Sequence, residues 1–217
     1  MKTFKEKMDY LRSIETGIVY DALELLGFGG WTNSIFPTDK KFKIAGKAFT
    51  ALFTVKMSSD EKNINSYDVI EMAEKGDVLV FAGAPEGRIF GGNLAFKAKN
   101  QGLEAIVLEG RSRDVAEIEE KLPLFCRGPI NYSTAHRYIL TQVKVTVNCD
   151  GAMIRPGDIV VGDRDGILVI PGERLDEVIY QCEHIAGVEA KMQEALRNNA
   201  SAAEAKAVIS AKKSLRP

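Results

Sequence analysis

Apolar residues recur at helical spacing in several stretches of the chain and run unbroken in short bursts between them. Phe4, Met8 and Leu11 form a thin stripe that predicts a first helix over 4–12. A fuller stripe follows in Ile18, Val19, Ala22, Leu23 and Leu26, with Thr16 placed to cap it and Gly27 to end it. GFGGWTNSIFP (27–37) reads as a loop, and residues 43–56 as one long strand interrupted by Gly46. Ser66 is the expected cap of a helix through Val69, Ile70 and Ala73 that stops before Gly76. Beyond it the signals tighten into a strand at 76–83, a glycine-rich loop, a helix at 94–101 and a strand at 104–109. That order predicts a βαβ crossover with a parallel strand pair. Four apolar runs at 122–126, 144–149, 158–162 and 166–170 predict further strands, and two charged helices over roughly 173–197 and 201–213 close the chain.

KGDVLVFAG (75–83) and PGDIVVGDRDG (156–166) share a Gly-Asp turn before a valine-rich strand, but two copies do not make a repeat array. With no linker or low-complexity stretch, residues 1–217 are expected to form one α/β domain. The chain has 29 basic and 30 acidic residues, a formal charge of −1, so nothing in the global charge favours nucleic acid or an anionic membrane. Cys126, Cys149 and Cys182 are too widely spaced for a zinc knuckle and odd in number for a disulfide framework. No stretch has the ~20 apolar residues of a membrane span, and the first residues carry no signal-peptide core. A cytoplasmic protein is the expectation.

Chemistry concentrates at both ends of the predicted crossover. GAPEGRIFGGN (83–93) carries four glycines between a strand and a helix. Glycines allow a ligand close to the backbone, and a helix start offers free N–H groups to an anion. GRSRD (110–114) follows the next strand, so both features are expected on the rim at the strands' carboxyl ends. Asp114 has two readings. In DVAE (114–117) it can form a capping box with Glu117, or beside Arg113 it can be a hard oxygen ligand for Mg²⁺ while the arginine grips a carboxylate.

Gly92, twenty intervening residues, Arg113-Asp114, two more and then Glu117 reproduce a G-x20-R-D-x2-E/D signature. In this the chain resembles the 4-hydroxy-4-methyl-2-oxoglutarate aldolase / RraA-like family. The likeness extends through YDALELLG (20–27), IAGKAFT (44–50), GLEAIVLEGRSRD (102–114) and RPGDIVVGDRDGILVIP (155–171). It implies an αββα sandwich assembled as homotrimers or homohexamers with sites between subunits. It further implies that backbone amides of Gly91, Gly92, Asn93 and Leu94 receive a 2-oxo acid carboxylate. Arg113 would steady an enolate, and Asp114 would ligate Mg²⁺ or Mn²⁺. A glutamate from a neighbouring subunit's C-terminal helix would approach the site; Glu189 is the first candidate and Glu194 the second. The implied activity is a carbon–carbon lyase that cleaves a 4-hydroxy-2-oxo acid to pyruvate or decarboxylates oxaloacetate, with an ordered water moving the proton. The resemblance also admits a non-catalytic member that binds a ribonuclease or helicase. One departure stands out: aldolases of the family often carry Glu or Asp where this chain has Gly92, so a carboxylate beside the metal is missing at that position.

Other residues are weaker candidates. Histidine can serve as a general base, but His136 sits in a loop with Tyr and Arg neighbours, and His184 lies in a charged helix. Asp163 and Asp165 are expected in a tight hairpin rather than a calcium loop. Trp31 and Phe36 are expected at a pocket or an interface, and Cys126-Arg127 at the edge of the substrate site.

Overall fold

The structure, a computed structural model, describes residues 2–58, 61–134 and 136–213. In chain order the elements are α1 (Phe4–Ser13), α2 (Thr16–Leu25), β1 (Phe36–Pro37), β2 (Ile44–Val55), α3 (Ser66–Met72), β3 (Val78–Ala82), β4 (Arg88–Phe90), α4 (Gly92–Gln101), β5 (Ala105–Leu108), β6 (Arg111–Ser112), α5 (Val115–Glu119), β7 (Leu124–Cys126), β8 (Tyr138–Val143), β9 (Val147–Cys149), β10 (Ala152–Ile154), β11 (Ile159–Asp163), β12 (Gly166–Ile170), α6 (Leu175–Arg197) and α7 (Ala202–Lys213).

The main sheet runs β1-β7-β5-β3-β2-β11-β12, with β8 also paired to β2. Its length lets β2 serve three neighbours: residues 44–47 pair with β11, 48–52 with β3, and 51–55 with β8. The expected crossover is present, since β3 and β5 on either side of α4 pair in parallel. The sheet curls until its ends nearly meet. Gly30, just before β1, accepts the Val169 N–H at 2.8 Å, and Trp31 bridges Leu168.

Strand alternation dictates the layers. Leu79, Phe81, Ile106, Leu108, Leu124 and Cys126 point outward under α3, α4 and α5. Their neighbours Val78, Val80, Ala105, Val107 and Phe125 point into the curl, where Val160, Ile167 and Val169 meet them from the far wall. On that far wall Ile159, Val161, Leu168 and Ile170 face outward against α1, α2 and α6. The result is the expected αββα order, built from one nearly closed sheet.

Several expectations are corrected. Thr16 does not cap α2; Glu15 holds that position without a side-chain bond. Buried Asp163 substitutes, accepting the Thr16 N–H and hydroxyl, each at 2.8 Å, and the Asp165 N–H at 2.9 Å. Its carboxylate thus closes the β11–β12 hairpin and the helix start together. Asn65, not Ser66, caps α3 by accepting the Tyr67 N–H at 2.9 Å. Strands β7 and β9 start later than their apolar runs, at Leu124 and Val147. The sequence reading did not anticipate β1, β4, β6, β8 and β10.

A second buried carboxylate pins the early loop. Asp150 accepts the N–H groups of Asn33 and Ser34, the Ser34 hydroxyl at 2.8 Å, and Arg127 Nη2 at 2.5 Å. Burial alone would raise its pKa. The Ser34 and Asn33 donors and the Arg127 charge outweigh burial and hold it below the ordinary carboxylate value. A depressed folded-state pKa contributes stability that is present above the unfolded value and is lost as pH falls through the folded one. Asp150→Asn should therefore lower unfolding free energy at neutral pH by about 3 kcal/mol. Urea denaturation should show that gap closing below about pH 4. A pH-independent gap would contradict it.

Candidate active site

The first part of the site is the loop leaving β3. Gly83 has φ +87° and its N–H donates to Glu109 Oε2 at 2.7 Å, which ties the loop to the end of β5. Gly87 N–H closes a tight turn on Ala84 O at 2.7 Å, and Gly87 O receives the Arg111 N–H at 2.8 Å. This stitching lines β4 up in parallel with β6: Arg88 is opposite Arg111 and Phe90 opposite Ser112. Arg113 N–H then reaches Phe90 O at 3.4 Å. The glycine loop and the Arg-Asp pair, twenty or more residues apart in sequence, are thereby held against each other on the predicted rim.

They line a cleft of about 360 Å³. It is lined by Gly91–Leu94 at the start of α4, by Arg113, Asp114 and Glu117, and by Phe53, Tyr67 and Tyr138. Gly91 stands at the N-cap of α4 and offers no side chain of its own, so apart from a long 3.5 Å bond from the Gly92 N–H to Asp114 Oδ2 the helix start is left without a side-chain cap.

Asp114 does not cap α5 through its side chain. It occupies the N-cap position of α5 but has φ +64° and makes no side-chain capping bond. Aspartate tolerates this left-handed conformation better than most residues, yet the position remains strained. The turn aims its carboxylate away from α5, 3.2 Å from Arg113 Nε and 3.5 Å from the Gly92 N–H. The alternative of a capping box with Glu117 is therefore not realised. Glu117 pairs with Lys121 at 2.8 Å instead.

Gly92 has a spatial partner. A Cβ built on it would stand 2.6 Å from Glu117 Oε2, so the Glu117 carboxylate fills the space a side chain at 92 would take. The acid missing from position 92 in the sequence has a neighbour in its place.

Of the residues named from sequence, Gly91, Gly92, Asn93, Leu94, Arg113 and Asp114 come together in one cleft. Glu189 and Glu194 do not line it; they lie on α6, whose buried face packs in the opposite outer layer with α1 and α2. His136 is exposed outside the cleft, and His184 is exposed on α6 with its Nδ1 2.8 Å from Tyr180 O. Cys126 is buried under the outer helices, its thiol pKa pushed up by burial, and it does not line the cleft. Trp31 packs edge-on against Tyr20, and both line a second cleft. Phe36 is half-exposed on β1 outside it.

Several cleft residues, among them Phe53, Tyr67, Tyr138 and Arg88, escaped the sequence reading. Arg88 lines the site from β4, and a charged residue inside a glycine loop on the carboxyl rim was the available signal.

Residues 16–169 match the model of the RraA-like family, Aldolase/RraA. The chain belongs to this family. A relative in Halalkalibacterium halodurans, provisionally named 4-hydroxy-4-methyl-2-oxoglutarate aldolase, is 29% identical over 197 residues, covering 89% of this chain and 90% of that one. Protein DlpA of Legionella pneumophila is 27% identical over 94% of this chain, which spans only 34% of its length. Among solved structures, Streptomyces coelicolor RraAS2, an unusual member of the RNase ES inhibitor RraA family, superimposes with a TM-score of 0.81. It is 24% identical and covers 89% of this chain and 99% of its own, a likeness of fold. No helix among the described residues is long and apolar enough to cross a membrane.

Proposed function

We propose that this RraA-like chain is a divalent-metal-dependent carbon–carbon lyase acting on a small 2-oxo acid. The observation that carries the reading is the β4–β6 ladder, which sets the start of α4 against Arg113 and Asp114. The amides of Asn93 and Leu94 would receive the substrate carboxylate. Arg113, half-exposed at the cleft wall, would place a fixed positive charge beside the developing enolate.

The donor set suits Mg²⁺ or Mn²⁺. Asp114 is a hard oxygen donor not engaged in capping, and Mg²⁺ is commonly held by one or two carboxylates with water completing its shell. Asp114 would hold the ion, which when bound supplies an electrophile for the 2-oxo oxygen. Glu189 of a neighbouring copy remains the proposed distal acid, in a trimer or hexamer whose subunits share sites. With these groups in place, both retro-aldol cleavage of a 4-hydroxy-2-oxo acid and oxaloacetate decarboxylation leave negative charge at the same point.

A pyruvate-release assay on oxaloacetate and 4-hydroxy-2-oxo diacids tests this. Turnover is expected with Mg²⁺ or Mn²⁺ and its loss with chelator; no turnover on any of these substrates would sink the proposal. Gly92 favours a second reading, a non-catalytic member that binds a ribonuclease or helicase. Capture of such a partner by a chain inactive in that assay would establish it.

A further inference from the structure

We infer that Arg88 receives the distal carboxylate of a dicarboxylic 2-oxo acid and so sets the substrate class of the cleft. The inference rests on the lyase reading above. Arg12, Arg111, Arg127, Arg155 and Arg174 each pair with a carboxylate, and Arg113 pairs with Asp114. Arg88 lines the cleft, and among the described residues no carboxylate pairs with it. Its Nη2 donates to Ser133 Oγ at 2.9 Å, and its backbone N–H to Thr134 Oγ1 at 2.6 Å. Its Nε is buried and has no acceptor. A partly buried guanidinium with an idle donor is unfavourable until an anion arrives.

The surroundings fix where that anion would sit. A Cβ on Gly91 would lie 3.9 Å from Arg88 Nη1 and 3.4 Å from Asp114 Oδ2. Both groups are thus within reach of one small molecule seated over Gly91. With the 2-oxo acid end held by the α4 amides, Arg113 and Asp114, the other end of a short chain falls beside Arg88. Ser133 steadies one arm of the guanidinium and leaves the other hydrogens for a two-point grip on a carboxylate. A monocarboxylic substrate would leave that grip empty.

Calorimetric titration of the whole protein, with Mg²⁺ present, uses two acids that the lyase reaction cannot consume: 2-oxoglutarate and 2-oxobutyrate. The wild type is expected to bind 2-oxoglutarate roughly 30-fold tighter, the size of a charge-assisted hydrogen-bond pair. Arg88→Gln should collapse that ratio through loss of 2-oxoglutarate binding, and Arg88→Lys should restore part of it. In turnover, Arg88→Gln should raise KM for oxaloacetate far more than it lowers kcat. Ser133→Ala, which keeps the charge but frees the arm, should lose an intermediate share of the preference and guards against a glutamine variant that fails to fold. Equal binding of both acids by the wild type, no binding of either, or an equal loss for both in Arg88→Gln overturns the inference. An Arg88-dependent preference in a chain that turns over no substrate would sink the lyase reading alone. Turnover without the preference would sink only the role of Arg88.

Discussion

Asp114→Asn is expected to reduce metal-dependent pyruvate release by at least ~10³-fold while leaving the melting temperature nearly unchanged. The two halves of this expectation have separate origins. Activity should fall because the amide is a neutral, poorer ligand and no longer balances Arg113, whose Nε lies 3.2 Å from the carboxylate. Stability should hold because the Asp114 side chain makes no bond to α5, its one contact with a helix start is the long 3.5 Å bond from the Gly92 N–H that an amide oxygen can also accept, and asparagine accepts φ +64° about as readily as aspartate. A true N-cap aspartate would behave differently, since losing its carboxylate would weaken the helix start. Coupled assay of pyruvate and a thermal melt on the same preparation distinguish the cases. A variant that melts early and loses activity in proportion would return Asp114 to a structural role.

The largest effect on stability is expected at Gly83. A Cβ there would stand 2.1 Å from Phe53 O and 3.0 Å from Leu52 Cδ1, and the residue has φ +87°. Phe53 lies in β2, whose backbone is held by both β3 and β8, so the carbonyl has little room to retreat. Gly83→Ala should cost more than about 4 kcal/mol. For a domain of this size that lowers the melting temperature by roughly 10 °C. Gly76 supplies the control. It has φ +88° but nothing within 4 Å of its would-be Cβ, so Gly76→Ala carries only the backbone penalty of about 1 kcal/mol. Equal losses at the two positions in urea denaturation would show that the clash is relieved by movement of β2.

What the sequence made legible follows from where the physical signal resides. Strands β3, β5, β11 and β12 are apolar runs bounded by glycine, and both of their faces are buried, so composition alone marks them. The crossover and the rim position of the loops followed from element order. Strands β4 and β6 did not, because three and two residues have no measurable periodicity; tertiary pairing makes them strands. Yet that ladder is what assembles the cleft. Caps were misplaced for a related reason. At Thr16 the capping carboxylate comes from Asp163, 147 residues away, and at Asp114 a local motif was overridden by a left-handed backbone. Arg88 was missed because a long side chain's partners, or lack of them, are a property of the folded surroundings.

The contact between Gly92 and Glu117 bears on how members of this family are compared. Two positions of the chain open onto a single volume, and only one of them can put a carboxylate there. Aligned column by column, a glycine at the first position scores as a lost function. Superimposed in space, the acid has only changed its address, and the bare α-carbon is what makes room for it.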